Sequence, residues 1–160
     1  MTETKGDGKS RPVIYTLGTS TRSLDEFLTV LRSKGIGQVC DVRSFPASKR
    51  YPHFSSQPLA ASLHEAGFAY HWLGENLGGY RKGGYRAHME TPAFSEGIRI
   101  LEDIASQAPT AIVCAELLPW KCHRRFIAAV LEERGWEVIH VLDVSRDWIP
   151  TRGNQGFLFP

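Results

Sequence analysis

Two thiols, a carboxylate, an imidazole and two guanidiniums fall within one run, Cys114-Ala-Glu-Leu-Leu-Pro-Trp-Lys-Cys122-His123-Arg124-Arg125. Cys122 is flanked by Lys121, His123 and Arg124, and neighbouring positive charge favours thiolate over thiol. Cys122 is therefore a candidate nucleophile. Glu116 and His123 are candidates for moving protons, and Arg124 and Arg125 for holding an oxyanion. Cys114 closes an apolar run, where a thiol is either a further ligand contact or a small core hydrophobe.

Other chemistries compete for the same residues. A thiol-phosphatase or rhodanese loop needs a cysteine, five residues and then an arginine. Counting from Cys114 lands on Trp120, and from Cys122 on Ala128, so that motif is absent. Cys114, Cys122 and His123 could ligate a metal, but adjacent residues rarely face one ion, and neither C-x-x-C nor H-E-x-x-H occurs. We expect no metal and no cofactor. In a purely structural alternative, Glu116 and Arg124 form an ion pair that shapes the loop, and the thiols are inert.

A second constellation is Asp41-Val-Arg43-Ser. Residues two apart on a strand share a face, so Asp41 is either a catalytic carboxylate or the structural partner of Arg43. Arg50 follows in the next loop as a candidate anion ligand. Two glycine segments could approach an anion with bare backbone: Gly18-Thr-Ser20 and Gly78-Gly79, the latter followed by Arg81. Neither matches a dinucleotide fingerprint or a P-loop, which disfavours an NAD site or an ATPase. The histidines at 53, 64, 71, 88 and 140 share no spacing.

The elements that would position these groups alternate. Strands are expected at Val13–Leu17, Gln38–Val42, Phe68–Leu73, Ala111–Cys114 and Glu137–Leu142. Between them lie helices near 24–34, 58–66, 92–105 and 122–134. Ser23 with Glu26 forms a capping-box pattern, and Thr91-Pro92 reads as a cap with a first-turn proline. Leu24, Phe27, Leu28 and Leu31 keep the spacing of one helix face. This order predicts an α/β fold: a single-domain, three-layer Rossmann-like sandwich with a mostly parallel five-stranded sheet and helices on both faces. Residues 1–11 are expected to be a disordered tail, 12–145 the domain and 146–160 an irregular tail. The loop of about 18 residues from Gly74 to Thr91, with five glycines, is long enough to suggest a functional loop or lid.

In such a sheet every strand-to-helix loop lies on one edge. Those loops hold Arg22, Arg43, Lys49, Arg50, Arg81, Lys82, Arg86, Lys121, Arg124 and Arg125, ten of the nineteen Lys plus Arg in the chain. A protein of formal charge only +2 thus gathers positive charge on one rim. The expected partner is an anionic small molecule, a nucleotide or a nucleic acid. Tyr51, Phe54, Trp72, Tyr80, Tyr85 and Trp120 lie in or beside the same loops, a pattern that suits base stacking as well as the pinning of long loops.

Totals narrow the class further. An apolar content of 42% and a charged content of 22% are those of an ordinary globular domain. Three cysteines give no disulfide framework, no signal-peptide pattern precedes the first strand, and no apolar run reaches the ~20 residues that span a bilayer. A cytoplasmic location and no membrane partner are expected. Oligomeric state is not legible.

Several of these motifs occur together in a fixed order: Tyr15-Thr-Leu-Gly-Thr-Ser20, Asp41-Val-Arg-Ser-Phe-Pro46 with Arg50, Leu77-Gly-Gly79, and Cys114-Ala-Glu116 with Cys122-His-Arg124. In this the chain resembles the uncharacterised domain-of-unknown-function family numbered 488, over about Val13 to Val141. The resemblance implies an intracellular α/β sandwich with no established activity. It maps recurrent polar positions to Ser20, Asp41, Arg43, Arg50, Cys114, Glu116, Cys122, His123 and Arg124. The functional expectation is an enzyme that hydrolyses, or transfers a group from, a phosphate-bearing or nucleotide-like substrate. The alternatives are a non-catalytic nucleotide or nucleic-acid binding module, and an interaction domain whose long loop docks a protein.

Overall fold

The computed structural model describes residues 11–150 of the 160-residue chain. Its elements are β1 (Val13–Gly18), α1 (Leu24–Ser33), β2 (Gln38–Asp41), α2 (Ser56–Glu65), β3 (Ala69–Trp72), α3 (Gly74–Leu77), α4 (Tyr85–His88), α5 (Pro92–Ala105), β4 (Thr110–Cys114), α6 (Arg124–Glu133), β5 (Glu137–Asp143) and β6 (Arg146–Trp148). Short 3-10 turns at Pro52–Phe54 and Pro119–Lys121 precede α2 and α6.

The strands form one sheet in the order β3-β2-β4-β1-β5-β6. The first five are mutually parallel, and β6 is antiparallel to β5. Two apolar layers sandwich the sheet. Phe27, Leu28 and Leu31 of α1 and Leu59 and Leu63 of α2 pack on Leu17, Val39, Ala111, Val113 and Val141. Phe94, Ile98 and Leu101 of α5 and Ile127 and Leu131 of α6 pack on Ile14, Cys40, Ile112 and Val138. Alternation along β4 sends Ile112 to one layer and Ala111 and Val113 to the other, as the two-residue period of a strand requires.

Local sequence explains the helix starts. Ser23 accepts from the Glu26 amide at 3.1 Å, and the Glu26 carboxylate accepts from the Ser23 amide at 2.7 Å. Thr91 Oγ1 accepts from the Phe94 amide at 3.2 Å ahead of α5. Both satisfy amides that lack intrahelical partners.

Three expectations are corrected. The sheet has six strands, because Arg146–Trp148, assigned to an irregular tail, turns back on β5. The turn is held by Asp143, whose carboxylate accepts from the Ser145 amide at 2.9 Å and from Arg146 Nε at 2.9 Å. The Gly74–Thr91 stretch is not an open loop: it holds α3 and α4, each too short to show an apolar period. Tyr85 Oη donates to the Leu77 carbonyl at 2.7 Å, and the His88 ring donates to the Asn76 carbonyl at 2.7 Å. The last large helix begins at Arg124 rather than Cys122, which stands in extended backbone just before it. Residues 1–10 and 151–160 of the expected tails lie outside the described residues.

β1 pairs with β4 so that Gly18 lies opposite Cys114, and β2 pairs with β4 so that Asp41 lies opposite Val113. The chain crosses from β1 past β4 to β2, so the loops after β1, β2 and β4 converge where the strand order reverses. Ligand crevices of parallel sheets form at such carboxyl edges.

Candidate active site

A cleft of about 900 Å³ opens at that edge. Ser20, Arg43, Gly79, Arg81, Cys114, Glu116, Cys122 and His123 line it, from the expected set. So do Thr19, Ser44, Phe45, Tyr80 and Lys121, which the sequence left unassigned as ligand contacts. Arg50 and Arg125 stand exposed away from its lining. Arg50 lies over the Tyr51 ring, while Arg125 lies over Phe126 and donates to the Trp120 carbonyl at 2.6 Å.

Two cysteines meet in the cleft lining. Cys114 Sγ lies 2.7 Å from Cys122 Sγ. Cys122 Sγ also accepts from the Arg124 amide at 3.4 Å and lies 3.6 Å from His123 Nδ1. His123 Nε2 lies 2.8 Å from the Val42 carbonyl. A carbonyl can only accept, so Nε2 carries a hydrogen and Nδ1 is the ring nitrogen turned toward the Cys122 sulfur. The hydrogen bond from Cys114 is the largest influence holding the Cys122 thiol below the usual range. It acts against burial, with His123 and the Arg124 charge in support. Cys114 is pushed well above the usual range, by burial first and then by its bond to Cys122. Cys114 therefore keeps its proton and Cys122 loses one. The third cysteine, Cys40, is buried in the sheet with its thiol pushed up to about 12, chiefly by burial.

Arg124 is placed differently from the expectation. It is wholly buried, so it does not hold an anion in the cleft. Its Nη1 donates to Thr16 Oγ1 at 2.9 Å, and its Nη2 donates to the carbonyls of Glu116 and Leu117. The supposed Glu116–Arg124 ion pair is thus a contact to the Glu116 backbone. The Glu116 side chain stays exposed in the cleft lining. Among the described residues no carboxylate lies within ion-pair distance of Arg124, and its Nε has no partner. Thr16 receives the arginine's hydrogen and passes its own to His140 Nδ1 at 2.7 Å. Burial, then the Arg124 charge, holds His140 down to about 3, so the ring is neutral and can accept.

Asp41 makes the pair with Arg43 that is one of the two roles expected for it. Its carboxylate is fully enclosed and accepts from the Arg43 amide (3.1 Å), Arg43 Nε (2.8 Å), Arg43 Nη2 (2.7 Å) and Tyr70 Oη (2.6 Å). The fork of a guanidinium matches a carboxylate bidentately. Asp41 therefore positions Arg43, whose Nη1 makes no hydrogen bond among the described residues.

Close packing of the loops requires glycine at positions 18 and 78. A Cβ on Gly18 would stand 2.9 Å from Leu117 Cα and nearer still to the Glu116 carbonyl. The Thr19 and Ser20 amides are already given to the carbonyls of Cys114 and Ala115, at 2.8 and 2.9 Å, so they do not form an anion nest. A Cβ on Gly78 would stand 2.8 Å from Ser44 Cα, and one on Gly79 would stand 3.3 Å from His123 Nδ1. Ser44 Oγ donates to the Gly79 carbonyl at 2.6 Å, tying this loop to the one after β2. Arg81 donates to the carbonyls of Gly74, Glu75 and Gly78, fixing α3 while its charge stays at the cleft wall.

Two exposed aromatics stand at the mouth. Phe45 and Tyr80 have 75% and 92% of their surface in water, and their ring centroids are 6.2 Å apart. Tyr80 has φ of +58°, a conformation that side chains other than glycine seldom adopt. Among the described residues no three His, Cys, Asp or Glu side chains gather as a metal ion would need. None of the described helices is long and apolar enough to cross a membrane.

An α/β sheet whose carboxyl edge carries a cysteine pair, an imidazole and several cations defines the class of this protein. The model of the family described as Domain of unknown function DUF488 matches residues 23–131, and the chain belongs to that family. No curated protein and no solved structure matches it.

Proposed function

We propose that this protein is an enzyme that transfers or hydrolyses a group of an anionic, phosphate-bearing or nucleotide-like substrate, with Cys122 as nucleophile. The observation that carries the reading is the thiolate geometry: Cys122 lies in the cleft lining with the Cys114 thiol, the Arg124 amide and His123 Nδ1 around its sulfur. His123 takes the Cys122 proton, Sγ bonds to the electrophilic centre, and the leaving group departs with that proton. Water then releases the group from sulfur. Arg43, Arg81 and Lys121 supply positive charge in the cleft lining, with Ser20 and Ser44 as neutral donors. Glu116, in the cleft lining, is the proposed acceptor of a proton from the incoming water.

Iodoacetamide alkylation against pH, read by mass spectrometry, tests this without knowledge of the substrate. Cys122 is expected to react at a rate already on its plateau at pH 7, and Cys122→Ser to abolish that labelling. If Cys122 labels with the profile of a free thiol, near ~8.5, the nucleophile reading fails.

A second reading is non-catalytic binding of a nucleotide or nucleic acid. The exposed Phe45 and Tyr80 beside the cations favour it, since bases stack on such rings. It predicts binding of a single-stranded oligonucleotide that weakens steeply with salt. Binding without salt dependence would reject it.

A further inference from the structure

The cysteine pair contains more than one nucleophile needs. Group transfer requires the thiolate of Cys122, and a hydroxyl or amide could supply the hydrogen bond that Cys114 gives it. Instead the donor is a second thiol, 2.7 Å from the first, and both line the cleft. Seven residues separate the two in sequence, and the Pro119–Lys121 turn folds the intervening loop so that the sulfurs meet. A disulfide needs its sulfurs about 2.05 Å apart, a short approach from this position.

We propose that Cys122 and Cys114 are the attacking and resolving thiols of a thiol–disulfide exchange reaction, and that the substrate is a low-molecular-weight disulfide carrying carboxylates. The proposal rests on the reading of Cys122 as the reactive thiolate. The asymmetry of the pair sets the roles. Cys122 is the more exposed and has the Arg124 amide at its sulfur, whereas Cys114 ends a buried strand. A cleft of about 900 Å³ accommodates a peptide-sized disulfide, and Arg43, Arg81 and Lys121 suit its carboxylates.

The steps balance. Cys122 Sγ attacks one sulfur of R–S–S–R, and the electron pair of the broken bond leaves on RS⁻. Cys114 then gives up its proton, which neutralises that RS⁻, and attacks Cys122 Sγ. The Cys114–Cys122 bond forms, and the second RS⁻ leaves and takes a proton from solvent. The enzyme dithiol is oxidised by two electrons, and the substrate disulfide is reduced to two thiols. Excess thiol of the same class reverses the sequence and restores the dithiol.

The test uses the full chain, reduced, desalted and exposed to excess oxidised glutathione, with acid quenching and peptide mapping by mass spectrometry. The wild-type protein is expected to lose two hydrogens as a Cys114–Cys122 disulfide, with Cys40 still free. Cys114→Ser is expected to halt as a persistent glutathione adduct on Cys122, and Cys122→Ser to form neither product. At low salt, the neutral 2-hydroxyethyl disulfide is expected to react roughly tenfold more slowly, because a cationic cleft steers anions. A wild-type protein that stops at the adduct, or a Cys114→Ala protein that still resolves it, overturns the proposal. Equal rates for the two disulfides overturn the assigned substrate class. Cys122 iodoacetamide labelling, measured alongside, separates the two readings. Rapid labelling without disulfide formation sinks the exchange reaction alone, and free-thiol labelling sinks the nucleophile reading too. Circular dichroism of each cysteine variant excludes loss of fold as the cause.

Discussion

Replacing Asp41 by Asn distinguishes a carboxylate that does chemistry from one that holds Arg43. Asp41 has no exposed surface and accepts four hydrogen bonds, three of them from Arg43. The amide keeps an acceptor for the Arg43 amide and Nε but turns an NH₂ group toward Arg43 Nη2 and Tyr70 Oη. Tyr70 can rotate its hydroxyl to accept, whereas Arg43 cannot accept and loses its counterion. Breaking a buried ion pair by removing one partner costs about 3–5 kcal/mol. Arg43 borders the cleft and can swing some charge into water, so the lower end applies, about 3 kcal/mol. At 2–4 °C per kcal/mol for a chain of this size, the melting temperature should fall by roughly 6–12 °C.

The assay is thermal unfolding followed by circular dichroism at pH 7, together with the Cys122 alkylation rate at a temperature where both proteins are folded. Melting should fall as stated while alkylation stays unchanged. Removing the whole network, with Asp41→Leu, Arg43→Met and Tyr70→Phe combined, should recover much of the lost stability, because no unpaired charge then remains buried. A melting temperature within about 2 °C of wild type, less than 1 kcal/mol by the same conversion, would refute the positioning role. Loss of alkylation at unchanged stability would return Asp41 to the chemistry.

Other outcomes follow from neighbouring features. Gly18→Ala drives a methyl into the Glu116 carbonyl, and backbone cannot rotate away, so destabilisation should reach or exceed the upper end of overpacking, about 3 kcal/mol by urea unfolding; a cost below 1 would contradict the close packing of these loops. His140 is held at about 3 in the folded protein against about 6.5 when unfolded, so the unfolded chain binds the extra proton between those values. Its contribution is whole above pH 6.5 and is lost as pH falls toward 3, at up to about 1.4 kcal/mol per pH unit. His140→Asn should flatten that part of the stability profile, and an unchanged slope would count against a neutral buried ring. Tyr80→Gly should relieve the positive-φ backbone, stabilising by about 1 kcal/mol, yet weaken adenosine monophosphate binding in calorimetry by about 1 kcal/mol or more through lost stacking. Unchanged binding would remove Tyr80 from the site.

Much of the fold was legible because long elements carry period and caps. The capping box at Ser23 and the face of Leu24, Phe27, Leu28 and Leu31 mark α1 without ambiguity. β6 was not legible, since three residues show no period and its turn depends on one Asp143 carboxylate. The basic edge could be inferred from topology alone: parallel strands put their loops on one side. Which cations face the cleft could not, because loop conformation decides it. Arg50 and Arg81 look alike in sequence, yet only Arg81 lines the cleft. Arg124 did carry a signal that went unread. Arg124, Ile127, Ala128 and Leu131 occupy one face of α6, so its register places the guanidinium where an apolar residue belongs. Thr16 lies in the same way on the core strand β1.

That misplaced cation ties the sheet to the cysteines. A buried charge costs several kcal/mol unless it is paired, and the polar contacts of Arg124 are a hydroxyl and two carbonyls, dipoles without net charge. Its field favours charge of the opposite sign nearby, and it is among the influences that hold Cys122 as thiolate. A Cys122 thiolate in the reduced protein thus lies within the field of the buried cation, whereas a Cys114–Cys122 disulfide carries no charge there. Whatever stabilises the thiolate of the reduced state makes the disulfide easier to reduce. In the proposed exchange reaction this makes the oxidised pair transient under excess thiol, whereas a structural crosslink would call for the opposite charge arrangement. On this argument the proposed role of Arg124 moves from the substrate to the sulfur, and the proposed ligand contacts fall to Arg43, Arg81 and Lys121 in the cleft lining.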